Sequence, residues 1–322
     1  MHMRKNGLIP VYILKILSQT DASHRLTQKD LLQLLHEKYD VKISRGTLGS
    51  YLHELRQAHY ISGERGIYRN RDLSDEEIRI VIDSVLFGHL LPQDQAKALI
   101  GKLQSLGSLA LERKVRAIHE LPDINHNNNE HLYEIMEALD EAIENHKRVR
   151  ITSCRYGIDK QLHETSTRIV DPYYIVSDLS RFYLICHNDG SDDLGNRRLD
   201  RMAKVEILEE GCVSIRTLSS YAHGFDLGDY MREHIYMFAG ESETCQLKIV
   251  KDHIGDFIDW YGTSFHVMEE DEEYVLISAK INTQALYYWV LQYGEMVEVL
   301  SPLSLREKVK AGLTRMLARY QA

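Results

Sequence analysis

The sequence predicts an α+β multidomain protein, and three observations carry that expectation. Residues 1–71 hold three short helical apolar faces followed by a Gly-rich hairpin, the pattern of a winged helix-turn-helix. Residues 130–210 break into short apolar and aromatic runs between turn signals, which reads as a small barrel or sandwich. Residues 244–322 run strand, helix, strand, strand, helix, strand, the ferredoxin-like βαββαβ order. A helical connector at 72–129 and a linker at 211–243 join the three.

In the head, Ile9, Ile13, Leu14, Ile16 and Leu17 form one helical face, with Pro10 tolerated in the first turn. Thr27 is a fitting N-cap for a helix over 28–38, whose apolar face is Leu31, Leu34 and Leu35. Ser44 caps a third helix with Leu48, Leu52 and Leu55 inward. Tyr60-Ile61 and Ile67-Tyr68 flank a Gly-rich turn at 62–66 and read as wing strands. The face opposite the leucines carries Arg45, Gly46, Gly49, Ser50 and His53, and its first turn would enter a major groove. Arg45 suits a guanine edge. Thr47, Ser50 and Tyr51 offer hydroxyls to phosphates, and Arg65 and Arg69 on the wing suit the backbone or minor groove. Gly46 and Gly49 permit close approach at roughly 1 kcal/mol each in helix propensity. The competing reading is a three-helix protein-interaction domain with Arg45 merely solvated.

Charge separates the head from the body. Residues 1–71 hold twelve Lys/Arg and six Asp/Glu, net +6, which leaves −15 on the remainder of a chain of net charge −9. That asymmetry confines phosphate attraction to one domain; a chance fluctuation in surface charge is the alternative. The four cysteines (154, 186, 212, 245) form no C-x-x-C, so a reduced cytosol fits better than a disulfide framework or a zinc site. No apolar run approaches a membrane span. Leu8 to Leu14 faintly imitates a signal peptide but is broken by Pro10 and followed by Lys15. Met1-His2-Met3 has the look of an expression scar.

The connector opens with Ser74 as N-cap and Glu77 completing a capping box. Ile78, Val81, Ile82, Val85 and Leu86 supply its first apolar face. A second helix restarts after Pro92, with Ala96, Leu99, Ile100 and Leu103 inward, and a third short one covers 109–118. The Asn-rich 126–129 reads as a turn or linker, and His126 and His131 as solvated rather than metal-binding. Apolar faces of this length on a connector predict a homodimer, as two-fold half-site reading requires.

Leu132, Ile135, Met136, Leu139, Ala142 and Ile143 make an amphipathic helix that leads into the barrel. Strands are expected at 149–154, 163–170, 173–176, 182–187 and 197–208, with a break at Asp171-Pro172. The last carries Arg197, Arg198, Arg201 and Lys204, and arginines beside tyrosines suit a planar anion or phosphate. Asp200 with Arg198 or Arg201 reads equally as an ordinary surface ion pair. In the tail, strands at 245–250, 265–268, 274–281 and 296–300 alternate with helices at 254–261, 284–293 (capped by Thr283) and 303–320; a short helix at 227–236 lies in the linker. The aromatic run around Trp289 reads as core. The acidic run 269–273 sits on a hairpin turn where solvation suffices.

Arg168-Ile169-Val170-Asp171-Pro172, then Phe182-Tyr183-Leu184, then Arg198-Leu199-Asp200-Arg201-Met202 resembles the WYL domain. Tyr287 to Gly294 followed by Val297 to Leu303 resembles its C-terminal extension, WCX, and Ser44 to Leu48 resembles the recognition-helix start of winged helices in such proteins. Phe182 stands where the family has Trp, Arg197 where an apolar aromatic is usual, and Ser153 where Tyr is frequent. The resemblance implies an SH3/Sm-like β-barrel between a winged helix and the extension, in a bacterial transcriptional regulator that senses a nucleotide-like effector. Carried over, Arg168, Tyr183, Arg198 and Arg201 match motif positions and Asp200 would orient an arginine; Ser153, Tyr156, His187 and Arg197 complete the expected effector set.

No H-E-x-x-H, P-loop or G-x-S-x-G occurs, and Val213-Ser214-Ile215 lacks the glycine frame. The expectation is therefore a cytoplasmic, non-enzymatic regulator without cofactor or metal. It would bind a double-stranded DNA operator under control of a nucleotide or single-stranded oligonucleotide effector. The rival is an accessory protein that binds single-stranded nucleic acid through the barrel while its helical head docks another protein.

Overall fold

A computed structural model describes residues 7–108, 111 and 129–321. The expectations for Met1-His2-Met3, for a helix over 109–118 (Leu111 apart) and for 126–128 fall outside those residues. The chain divides into two compact units, 1–128 and 129–322.

The first unit follows its apolar spacing. Helices α1 (Ile9–Ile16), α2 (Gln28–Tyr39) and α3 (Arg45–Gln57) bury Ile13, Leu31, Leu35, Leu48 and Leu52 completely, and Leu17 is buried in the 3-10 turn just after α1. Each such side chain is worth about 1.5–3 kcal/mol relative to exposure. Thr27 and Asp30 form a capping box on α2. Strands β1 (Ile61–Ser62) and β2 (Tyr68–Arg69) pair antiparallel, one residue later than expected, and Leu26 bridges Ile67 beside them. Gly63 must be glycine: its φ is +85°, and a Cβ there would lie 1.9 Å from the Gly66 carbonyl oxygen. Helices α4 (Asp75–Phe87), with the expected Ser74/Glu77 capping box, and α5 (Gln93–Leu106) share a core of Ile78, Ile82, Ile100 and Leu111.

In the second unit, α6 (Leu132–Glu144) packs on a five-stranded antiparallel sheet of order β6-β5-β4-β3-β7. The strands are β3 (Lys147–Tyr156), β4 (Leu162–Asp178), β5 (Arg181–Asn188), β6 (Leu194–Arg198) and β7 (Met202–Gly211). Two expectations need correction. Asp171-Pro172 does not end a strand: β4 continues through it, because a register shift between Pro172 and Tyr174 absorbs the missing donor. The strand expected at 197–208 is broken by a 3-10 turn, Leu199–Arg201, because Leu199 turns inward and is fully buried.

Residues 211–243, expected as a linker, are packed. Leu218, Tyr230 and Met237 are buried against Tyr183, Ile185 and Leu194, so this segment covers one face of β5 and β6. Its helix, α7 (Leu227–Glu233), stops short of the expected Tyr236, which sits in the left-handed region at φ 59°.

A second sheet, of order β11-β8-β10-β9, is antiparallel throughout. It comprises β8 (Ser242–Val250), β9 (His266–Glu270), β10 (Tyr274–Asn282) and β11 (Val297–Ser301). Helices α8 (Ile254–Tyr261), α9 (Thr283–Tyr293) and α10 (Leu303–Tyr320) contribute to the same core, with Trp289 1% exposed at its centre. The cap of α9 is Asn282 rather than Thr283: Asn282 Oδ1 accepts from the Ala285 amide at 2.9 Å.

Candidate functional sites

The first candidate face is the start of α3. Ser44 Oγ accepts from the Thr47 amide at 3.0 Å and lies 2.9 Å from Thr47 Oγ1, so both hydroxyls are engaged in the cap. Arg45 is exposed, and its Nε donates to the neutral side chain of Gln28 at 3.2 Å. Gly46, Ser50 and His53 are exposed beside it, while Tyr51 is half-buried against the helical core. A Cβ on Gly46 would meet nothing nearer than 3.8 Å, and one on Gly49 nothing within 4 Å. Packing inside the unit therefore does not demand either glycine. Arg65 and Arg69 are exposed on the hairpin, which Arg56 fastens to α3 by donating to the Gly63 carbonyl at 3.0 Å.

The second is the 3-10 turn between β6 and β7. Arg198 donates to Asp200 through Nε at 2.9 Å and Nη2 at 2.6 Å, a bidentate fork that also raises the guanidinium pKa. Arg201 Nε lies 3.8 Å from the same carboxylate, too far for a hydrogen bond. Its guanidinium carbon sits 4.1 Å from the centre of the Tyr156 ring, in cation–π contact. Tyr183 faces Arg198 across the β5–β6 ladder, and burial raises its phenol, which keeps it protonated. Ser153 lies opposite Met202 on β3, near the same turn. Five of the expected effector residues thus converge on one edge: Tyr156, Tyr183, Arg198, Asp200 and Arg201.

Three others are placed differently. Arg168 is exposed on β4 opposite Ile151. Arg197 projects from the other face of β6 and binds the Asn188 side chain. His187 is 6% exposed, with Nδ1 2.8 Å from Asp171 Oδ2 and Nε2 2.8 Å from the Ser191 carbonyl. It belongs to a buried charged network that sequence reading missed. Arg148 Nε lies 3.1 Å from the fully buried Asp171, misaligned for a hydrogen bond, so that contact is Coulombic; Arg148 also binds Asp189. The Val213 amide donates to Asp171 at 3.1 Å. Among the described residues, Asp171, His187 and Asp189 have metal-compatible spacing, but Arg148 already supplies the positive charge between the two carboxylates. The available signal was Asp171 itself, a carboxylate inside an apolar run.

A cleft of about 580 Å³ opens beside α7, lined by Asp226, Asp229, Glu233 and Glu241 against Lys280. Its surplus of carboxylates repels phosphate.

The WYL domain family model matches residues 134–207 and the WCX domain model matches 243–317. The chain therefore contains a WYL domain, which holds the Arg198–Arg201 turn, followed by a WCX domain. An uncharacterised HTH-type transcriptional regulator, YobV of Bacillus subtilis (strain 168), is 26% identical over 159 residues, 49% of this chain. The match spans 48% of that protein, about half its length. Two solved structures align over 98% of this chain at 16% identity. They are proteasome accessory factor B/C (PafBC) of Arthrobacter aurescens (TM-score 0.31, 54% of that chain) and a CRISPR Cas-related protein (TM-score 0.39, 84% of that chain). Both scores are too low to carry a fold argument. No helix among the described residues is long and apolar enough to cross a membrane.

Proposed function

We propose that this chain is a cytoplasmic, non-enzymatic DNA-binding transcriptional regulator whose WYL domain senses a nucleotide or single-stranded oligonucleotide that modulates operator binding. The observation that carries the reading is the occurrence of two distinct arginine sites suited to phosphate, one in each unit. In the first unit the three helices and the β1–β2 hairpin act as a winged helix-turn-helix, with α3 as the recognition helix. Its two glycines, unused by internal packing, let DNA approach the helix backbone closely. Arg45 reads a base edge, and Arg65 and Arg69 hold the phosphates. In the second unit the five-stranded sheet acts as an SH3/Sm-like barrel and the β11-β8-β10-β9 sheet as a ferredoxin-like domain. Arg198 and Arg201 bind the effector phosphate, and the half-exposed Tyr156 ring with its stacked guanidinium offers a platform for a base. The exposed Ile80, Val81 and Phe87 on α4 suit a homodimer contact.

Fluorescence anisotropy tests this with duplex from the gene's own upstream region, followed by titration of a single-stranded oligonucleotide. Salt-sensitive duplex binding that the single strand alters supports the regulator. Binding of the single strand alone, lost in Arg198→Ala and Arg201→Ala, replaces it with the accessory-protein reading, in which the barrel holds single strands and the head docks a protein.

A further inference from the structure

The turn that carries Arg198, Asp200 and Arg201 is fastened from one more place. Asn129 is 6% exposed, and its Nδ2 donates to the carbonyls of Leu199 at 3.2 Å and Met202 at 2.9 Å. Its Oδ1 accepts from the His131 amide at 3.0 Å, and its own carbonyl accepts from Leu132 at 3.2 Å. One buried amide thus ties both ends of the turn to the first turn of α6. A buried donor left without its acceptor is destabilising, so the turn cannot move without moving Asn129 or breaking these bonds. Asn129 is also the first residue of the second unit, at the point where the chain arrives from the first.

The turn has a reason to move. The Arg198 fork is filled by Asp200, and the same carboxylate lies 3.8 Å from Arg201. A phosphate that takes the fork must displace a group of its own charge. Carboxylate-filled and phosphate-filled states exclude each other, which supplies the two-state element that coupling between sites requires.

Resting on the function proposed above, we propose that Asn129 is the coupling residue that transmits the exchange of Asp200 for a phosphate at this turn to the DNA-binding unit. It touches neither ligand and acts by positioning.

The test is a double-mutant cycle on the full chain, read as duplex affinity by anisotropy. Asp200→Ala empties the Arg198 fork without any effector. Asn129→Asp keeps the size of the side chain and the acceptor toward His131 but removes both donors; Asn129→Ala serves if that variant does not fold. Asp200→Ala should shift the duplex Kd about tenfold in the wild-type background and less than about twofold beside the Asn129 variant. Equal shifts in both backgrounds, or none in either, overturn the inference while leaving the DNA-binding reading intact. A wild type that binds no duplex overturns that reading itself. Amide exchange in the Asn129→Asp chain gives a second readout. Faster exchange at 199–202 with 183–187 unchanged is expected, and unchanged exchange at the turn counts against the coupling role.

Discussion

Arg45 on α3 and Arg198 at the end of β6 are the same side chain in opposite circumstances. Arg45 is exposed and meets a neutral amide at 3.2 Å. Arg198 is 31% exposed and forked onto a carboxylate at 2.9 and 2.6 Å. A guanidinium resting on a neutral partner can take up phosphate at little cost. One held in a charge-assisted fork must trade one anion for another, so its occupancy depends on what competes. The first arrangement suits standing attraction to a polyanion, the second a conditional response.

A third arginine sharpens the contrast most. Arg148 lies beside the fully buried Asp171, with His187 on the other oxygen. Asp171→Ala takes the buried carboxylate from Arg148, which keeps only Asp189, and leaves His187 Nδ1 and the Val213 amide without their partner; breaking a buried pair in this way costs about 3–5 kcal/mol. The urea midpoint should fall accordingly. A loss below about 1 kcal/mol would class Arg148 with the exposed arginines instead. The next effect is on DNA. Arg45→Ala should cost about 1–3 kcal/mol of discrimination, roughly fivefold to 150-fold in relative affinity for the preferred duplex. Arg65→Ala and Arg69→Ala should instead weaken all duplexes alike and lower the salt slope by about one each. Salt slopes that do not change would remove the hairpin from the DNA contact.

The first unit was more legible in the sequence than the second, for a physical reason. Its elements are set by local periodicity and caps: Leu48, Leu52 and Leu55 share a face because of the helical repeat, and Ser44 caps the helix that those leucines belong to. The tail was legible on the same terms, apart from a cap one residue earlier at Asn282. The WYL region depends on contacts distant in sequence. Asp171 reads as a turn residue until Arg148, His187 and the Val213 amide are brought around it. Asn129 reads as linker until the carbonyls of Leu199 and Met202, about seventy residues away, meet its amide. Arg198 and Arg201 were named from the motif and Tyr156 as an addition to it, but their mutual geometry, with Arg201 stacked on Tyr156 and Arg198 forked, came only from the fold. The cover at 211–243 escaped because its buried residues, Leu218, Tyr230 and Met237, follow no single period.

Asp200 sets the next, smaller effect. Asp200→Asn keeps the shape of the turn and removes the competing charge from two partly exposed arginines, a change on the order of 1 kcal/mol. A single-stranded oligonucleotide should bind about fivefold more tightly by anisotropy, whereas Arg201→Ala should weaken it. Weaker binding in Asp200→Asn would mean that the carboxylate orients Arg198 for the ligand rather than competing with it.

The smallest effect belongs to the cover. His234 is 3% exposed, with Nδ1 2.9 Å from the Tyr230 carbonyl and Nε2 3.0 Å from that of Gly240. Both partners accept, so they favour the doubly protonated ring; burial opposes it more strongly and holds the pKa below the ordinary 6.5. The folded chain then binds this proton less readily than the unfolded chain. Stability from His234 is complete above pH 6.5 and is lost as the pH falls through the lowered value. His234→Gln cannot titrate, so wild type should lose more stability than the variant between about pH 7 and about pH 5. Parallel curves would mean that the two carbonyls offset burial, and the segment over β5 and β6 would then hold in acid as firmly as at neutrality.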